Sequence, residues 1–426
     1  MRVLFVPHAN KAHLHIMLPL AWALRTAGHD VLVASKPDLA DAVMAVGFTP
    51  AIVGEVMNPN PGFYPGHVPA PPPAMPSGQR QEMPRQEDFA RDDPADRLAR
   101  ATWGFGLFST PSLIAGLIGL IRDWRADLVI WDQMVYAAPV AAKVCGVAQA
   151  RMMMGPDGIT QLRAAVRDGE DALRDWLEPI LLAQGSEFGE DVAVGDWTIE
   201  PMPPWQWRPA GPLFVPVRMI PFNPPAPLPD WLSEPQQGDR VCLTLGASHR
   251  DGRGAEASAA DMLRAMGEID AEVIATFNAK QLASVDKIPG NVRVVDFVPL
   301  AALLPSCSAV IHHGGAGTFA TAVESAVPQL IIPGTHWGFQ WWGPLGHANG
   351  LQDQGAGLFV ADADHLSVDA LVEDVRRVLE DPAFRGNARR LRLESVAVPA
   401  PNDVVPVLER LTREARDLRD TPAVRA

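Results

Sequence analysis

Along most of this chain, short β-branched runs alternate with amphipathic stretches of helical period. A chain of that kind can bury both only by pairing the runs in parallel and laying crossover helices on the two faces of the sheet. In the first half, residues 3–6, 30–34 and 128–131 read as strands, and 16–27, 37–46, 111–123, 137–145 and 159–183 as helices. A proline-rich stretch at 201–229 interrupts the pattern, which then restarts. Strands are expected at 241–245, 272–276, 292–296, 309–311 and 329–332, and helices at 257–269, 301–304, 319–325 and 368–379. The pattern predicts an α/β protein of two doubly wound units, and 426 residues with 47% hydrophobic content supply a core for each. The expected division is a first domain over 1–215, a linker at 216–230, a second domain over 231–400 and a tail at 401–426. That tail is expected to be a helix packing back toward the first domain. Residues 57–94, rich in proline, glycine and charge, read as a long surface loop, either a lid over a substrate or an insertion with no role.

A net charge of −14 excludes the nonspecific nucleic-acid binders, which need a basic face. Cys145, Cys242 and Cys307 are isolated in apolar runs, as reduced core thiols of a cytoplasmic protein would be, and form no metal knuckle. The first apolar run stops at Pro7, too early for a signal peptide. The apolar segment 113–121 is broken by Gly116 and Gly119 and is too short to span a bilayer, so no membrane association is expected.

The most informative local stretch is His312-His313-Gly314-Gly315-Ala316-Gly317-Thr318. It reads as a strand end, a turn almost free of side chains and a helix start. Unpaired N–H groups and the helix dipole favour an anion there, and a phosphate or diphosphate is the implied ligand. His312 and His313 add donors at the mouth and Thr318 a hydroxyl. The competing account is a tight turn whose histidines satisfy backbone carbonyls.

These residues carry a family resemblance together with Pro19-Leu20-Ala21-Trp22-Ala23-Leu24, Ala27-Gly28-His29, Ile220-Pro221-Phe222-Asn223, Val241-Cys242-Leu243-Thr244-Leu245-Gly246 and Val295-Asp296-Phe297-Val298-Pro299-Leu300. The sequence resembles the inverting nucleotide-sugar glycosyltransferases of two Rossmann-like domains (GT-B, family 1), in particular the bacterial enzymes that attach deoxysugars to polyketide and macrolide-type antibiotics. The resemblance implies two domains facing across a cleft. It also implies a thymidine diphosphate (dTDP) deoxysugar as co-substrate with no cofactor, and a hydroxyl of a hydrophobic aglycone as acceptor.

On that resemblance His13, in the loop after the first strand, is the general base, and Asp132, at the end of strand 128–131, its orienting partner. His8 and His15 compete for the first role, and a helix N-cap is the other account of Asp132. The donor falls to Ser248, to Phe297 stacking on the base with the Val298 backbone at its edge, and to His313, Gly314, Gly315, Ala316, Gly317 and Thr318 around the diphosphate. Enzymes using uridine donors often carry a glutamate where this chain has Thr321, so a deoxyribonucleotide donor is favoured. In the segment 333–342 the usual sugar-binding acid is missing, which leaves Trp337 and Gln340 as sugar contacts, while the tryptophans form an apolar wall or an interdomain packing surface. Phe63, Tyr64, Trp103, Phe105, Phe108, Met152, Met153 and Met154 are candidates for the acceptor pocket. No paired-aspartate metal motif is present, so no metal is expected. A homodimer and an activating partner protein stay open. The alternatives are an epimerase of the same architecture and a nucleotide-sugar-binding auxiliary protein.

Overall fold

The computed structural model describes residues 1–57, 80–234, 236–246, 258–283, 285–335 and 341–420. Thirteen described strands form two sheets. The first holds β1 (Arg2–Val6), β2 (Asp30–Ser35), β3 (Pro50–Ile52), β4 (Leu128–Asp132), β5 (Ala148–Met152), β6 (Trp197–Glu200) and β7 (Phe214–Pro216), in the order β3-β2-β1-β4-β5-β6-β7. The second holds β8 (Arg240–Thr244), β9 (Glu272–Thr276), β10 (Val292–Val295), β11 (Ala309–His312), β12 (Gln329–Ile331) and β13 (Gly357–Phe359), in the order β10-β9-β8-β11-β12-β13. Each neighbouring pair is parallel, as the near-continuous apolar runs require for strands covered on both faces.

Several elements differ from the sequence expectation. The first helix begins at Lys11, five residues early, because the Asn10 side chain accepts from the Ala12 N–H at 2.8 Å and caps it. His13 therefore stands on the first helical turn instead of in a loop. The expected helix 159–183 is two, Gly158–Ala165 and Ala172–Ala183, each started by an aspartate cap, Asp157 and Asp171. Strands β3, β5, β6, β7 and β13 have no counterpart in the expectation.

The helix Pro401–Asp420 returns to the first sheet, where Val404, Val405 and Leu408 join the core around Leu14, Met17 and Leu18. Among the described residues no single helix is long and apolar enough to cross a membrane. The bent pair Pro94–Phe108 and Pro111–Trp124 passes that test jointly, and its Leu98, Phe105, Leu113, Leu117 and Ile121 are buried in the first core.

The segment entering from residue 80 is a strap across both units. Arg80 pairs with Glu373 and Asp374 at 2.8 and 2.7 Å, and Arg85 grips Asp353 through two nitrogens at 2.9 and 2.7 Å. Gln81 and Asp362 exchange two bonds, and buried Gln86 takes its N–H to Asn349 Oδ1 at 2.7 Å. This part of the expected loop is thus pinned by charge-assisted bonds.

Candidate active site

Each sheet reverses its strand order once, between β1 and β4 in the first and between β8 and β11 in the second. At such a point the chains leaving two neighbouring strands part and open a crevice beyond the strands' carboxyl ends. His13 follows β1 and Asp132 ends β4, so topology brings together residues 119 apart in sequence: His13 Nδ1 lies 2.7 Å from Asp132 Oδ2. The other carboxylate oxygen accepts from the Met134 N–H at 2.9 Å, which fixes its orientation.

Asp132 is fully buried, whereas the His13 side chain keeps 20% of its surface exposed. Burial disfavours charge on both groups. Their attraction and hydrogen bond outweigh it, holding the His13 pKa above its ordinary value and that of Asp132 below. With Nδ1 donating to the carboxylate, the neutral ring presents its lone pair on Nε2, the form a general base requires.

The two competing histidines are placed differently. His8 lies against His13 and Phe108, with ring centroids 5.0 and 4.4 Å away, and burial and then His13 push its pKa down to about 3. His15 packs on Phe222 at 4.5 Å, and burial and then Lys11 lower its pKa to about 4.

In the second unit the glycine turn joins β11 to the helix Ala316–Glu324, with Gly315 at its N-cap. The paired histidines divide their tasks. His312 is fully buried: its Nδ1 accepts from the Gly314 N–H at 3.1 Å and its Nε2 donates to Gln329 Oε1 at 2.9 Å. Burial drives its pKa to about 3, so it is a neutral brace for the turn and not a donor at the mouth. Gly314, at φ 90°, is engaged internally as well, since its carbonyl accepts from His347 Nδ1 at 2.8 Å. Its N–H is therefore taken, which removes it from the expected diphosphate donors. His347 was missed in the sequence, where nothing distinguishes it; its ring stacks on Phe319 at 4.1 Å.

His313 lies between two glycines. A Cβ at Gly246 would fall 2.5 Å from its Cε1, and one at Gly315 would fall 2.5 Å from its Nε2, so both positions must lack a side chain for the ring to sit there. Gly317 is exposed and a Cβ there would meet nothing within 4 Å, while Thr318 is buried on the same first turn. The first-turn N–H groups of this helix begin at the half-exposed Ala316, where an anion would meet them.

Phe297 is 43% exposed beside a buried Val298, the arrangement a stacking platform needs. Thr321 is buried: its hydroxyl donates to the Gly317 carbonyl at 2.8 Å and accepts from Asn223 at 3.5 Å, and Asn223 also caps the Ala301 N–H. Ser248, Trp337, Gln340, Phe63 and Tyr64 lie outside the described residues.

Trp341 and Trp342 pack across the units. Trp341 stacks on Phe89 at 5.2 Å, and Gly155 faces Trp342 so closely that a Cβ would fall 1.9 Å from its carbonyl oxygen. Of the acceptor candidates, Phe105, Met152, Met153 and Met154 are core residues. Phe108 is half-buried and borders a hollow beside His8.

Comparison with known proteins bears on both halves. The N-terminal domain model of the erythromycin biosynthesis protein CIII-like family matches residues 22–246, and the C-terminal domain model matches residues 260–411. The chain belongs to that family. It is a glycosyltransferase of antibiotic deoxysugar biosynthesis, with the GT-B fold. Aclacinomycin-T 2-deoxy-L-fucose transferase of Streptomyces galilaeus is 42% identical, over 98% of this chain and 97% of that one. The 3-alpha-mycarosylerythronolide B desosaminyl transferase of Saccharopolyspora erythraea is 38% identical over 98% and 100%. Among solved structures, glycosyltransferase VinC in complex with dTDP superimposes with a TM-score of 0.82 at 36% identity, over 97% of this chain and 100% of that one.

Proposed function

We propose that this enzyme moves a deoxysugar from a dTDP donor to a hydroxyl of a hydrophobic polyketide-type aglycone by a single inverting displacement. One observation carries the reading: a base-competent His13–Asp132 pair at the switch point of one sheet, and a glycine turn opening a helix N-terminus at the switch point of the other. His13 Nε2 takes the acceptor proton as its oxygen attacks the anomeric carbon. The imidazolium so formed is held by the buried Asp132 carboxylate. The bond to the diphosphate breaks on the opposite face of the sugar, and the departing charge is met by the first-turn N–H groups at Ala316, Gly317 and Thr318 and by His313. A threonine at position 321, bonded within its own helix, supports a donor without a ribose 2′-hydroxyl to bind. The relatives' names, a 2-deoxy-L-fucose transferase of aclacinomycin T and a desosaminyl transferase of 3-alpha-mycarosylerythronolide B, support the same class here.

The test is product analysis with a panel of dTDP-deoxysugars and polyketide aglycones, in the wild type and in His13→Ala. The expected results are a glycoside of inverted anomeric configuration and a loss of about 10²- to 10⁴-fold in kcat/KM in the variant. Retained configuration, or full transfer by His13→Ala, overturns the mechanism.

A further inference from the structure

On the side of β1 away from β4, the ends of β1 and β2 enclose a narrow hollow lined by Pro7, His8, Ser35, Lys36, Phe108 and Val135. It adjoins the base, because the His8 ring on its wall lies 5.0 Å from the ring of His13. Two of its polar groups lack protein partners among the described residues. Ser35 is 2% exposed and its hydroxyl is without a hydrogen bond among the described residues. Lys36 is 6% exposed, and among the described residues no carboxylate lies within ion-pair distance of it. Asp38 and Glu55 attract it only from farther off, and burial, the larger influence, lowers its pKa. The stretch 58–79 that follows Glu55 contains no aspartate or glutamate. The hydroxyls of Ser109 and Tyr136, next in sequence to the lining residues Phe108 and Val135, are likewise buried with no hydrogen-bond partner among the described residues.

A lysine side chain so largely covered, with no counter-ion among the described residues and beside an unsatisfied buried hydroxyl, leaves an ammonium at the hollow ready to pair with an arriving anion. A hollow this narrow admits an oxygen substituent and not a ring. We propose that Lys36 is a specificity-determining residue for the acceptor: its ammonium, with the Ser35 hydroxyl, receives an acidic phenol or enol oxygen of the aglycone while a second hydroxyl of the same molecule lies at His13. The inference rests on the reading that the acceptor enters at His13. It narrows the acceptor class to aglycones carrying an ionisable oxygen on the skeleton that bears the glycosylated hydroxyl. Lys36 acts by binding; the proton is taken elsewhere.

The test uses dihydroxyanthraquinone and its dimethyl ether, titrated by quenching of tryptophan fluorescence. The wild type should bind the dihydroxy compound about 10- to 100-fold more tightly than the ether, the range a hydrogen bond to a charged group supplies. Lys36→Met should erase that preference while leaving the affinities for the ether and for dTDP unchanged, and Lys36→Arg should restore part of it. A preference that survives in Lys36→Met, or a wild type that binds neither compound, overturns the inference. If Lys36→Met fails to fold, as judged by lost dTDP binding, Ser35→Ala decides: a reduced preference supports the site and an unchanged one overturns it. Failure of the functional reading looks different, namely a wild type that binds the dihydroxy compound and dTDP yet transfers no sugar to any aglycone.

Discussion

Replacing Asp132 by asparagine removes one charge 2.7 Å from the His13 ring and changes almost nothing in volume. The remaining amide oxygen still suits the Met134 N–H, so the loop is kept. The amide nitrogen then faces His13 Nδ1 and donates to it, which forces the ring proton onto Nε2, the atom that must accept. Two effects therefore combine: the wrong tautomer, and loss of the carboxylate that stabilises the imidazolium. Together they are expected to lower kcat/KM by about 10²- to 10⁴-fold, equivalent to about 3–5 kcal/mol of transition-state stabilisation. The pH profile supplies a second check. With His13 held above its ordinary pKa by Asp132, activity rises with pH as the imidazolium loses its proton. In Asp132→Asn the attraction is gone and burial remains, so that limb moves to lower pH. The assay is product formation by liquid chromatography from pH 5 to 9, with dTDP affinity measured alongside as a control on the donor site. A variant retaining more than half of the wild-type kcat/KM, with an unmoved acid limb, would refute the tautomer argument.

Acid stability follows from the buried histidines. His8, His15, His312 and His347, with folded pKa values of about 3, 4, 3 and 4 against an ordinary 6.5, take up protons on unfolding as pH falls below 6.5. Glu200 opposes them, because burial raises its pKa to about 7 and it stays protonated in the fold. Urea denaturation should therefore lose about 4 kcal/mol per pH unit between pH 6 and 5, the slope of about three net protons, and a flat response would contradict the burial of these groups. Gln329→Leu strands the His312 Nε2–H in the core and is expected to cost about 1–3 kcal/mol in the same assay. Gly315→Ala pushes a Cβ into the His313 ring and should weaken dTDP binding by calorimetry about tenfold or more, whereas Gly317→Ala, with open space around it, should leave the melting temperature unchanged. Arg85→Ala removes the bidentate grip on Asp353, and limited proteolysis near residue 80 should then quicken most at low salt, where the wild-type pair is strongest.

The parts legible in the sequence were those set by local pattern. Apolar runs marked β1, β2, β4 and the strands β8 to β12, and the glycine turn declared itself by composition. Strands such as β3 and β7 escaped because three residues carry no period, and β5, with Gln149 and Arg151 inside, looks polar until Arg151 is seen paired with Asp157 in the interior. The His13–Asp132 pair was found through resemblance; its register is a product of strand order, which no local window contains. The division between His312 and His313 was invisible for a similar reason, since it depends on Gln329 at the start of the next strand, 17 residues later. The strap did leave a trace, the change at Arg80 from proline-rich to charge-rich composition, but the partners Asp353, Asp362 and Asp374 lie more than 260 residues away.

The strap has a consequence for anyone who would recombine these enzymes. A junction placed in the proline-rich stretch between β7 and β8 separates the two sheets cleanly. It leaves Arg80, Gln81, Arg85 and Gln86 with one parent and Glu373, Asp362, Asp353 and Asn349 with the other. The closing helix Pro401–Asp420 is misassigned in the opposite sense, because it travels with the second sheet while its core contacts belong to the first. A working chimera has four seams: residues 80–86 must be exchanged together with the second sheet, and the last helix must stay with the first.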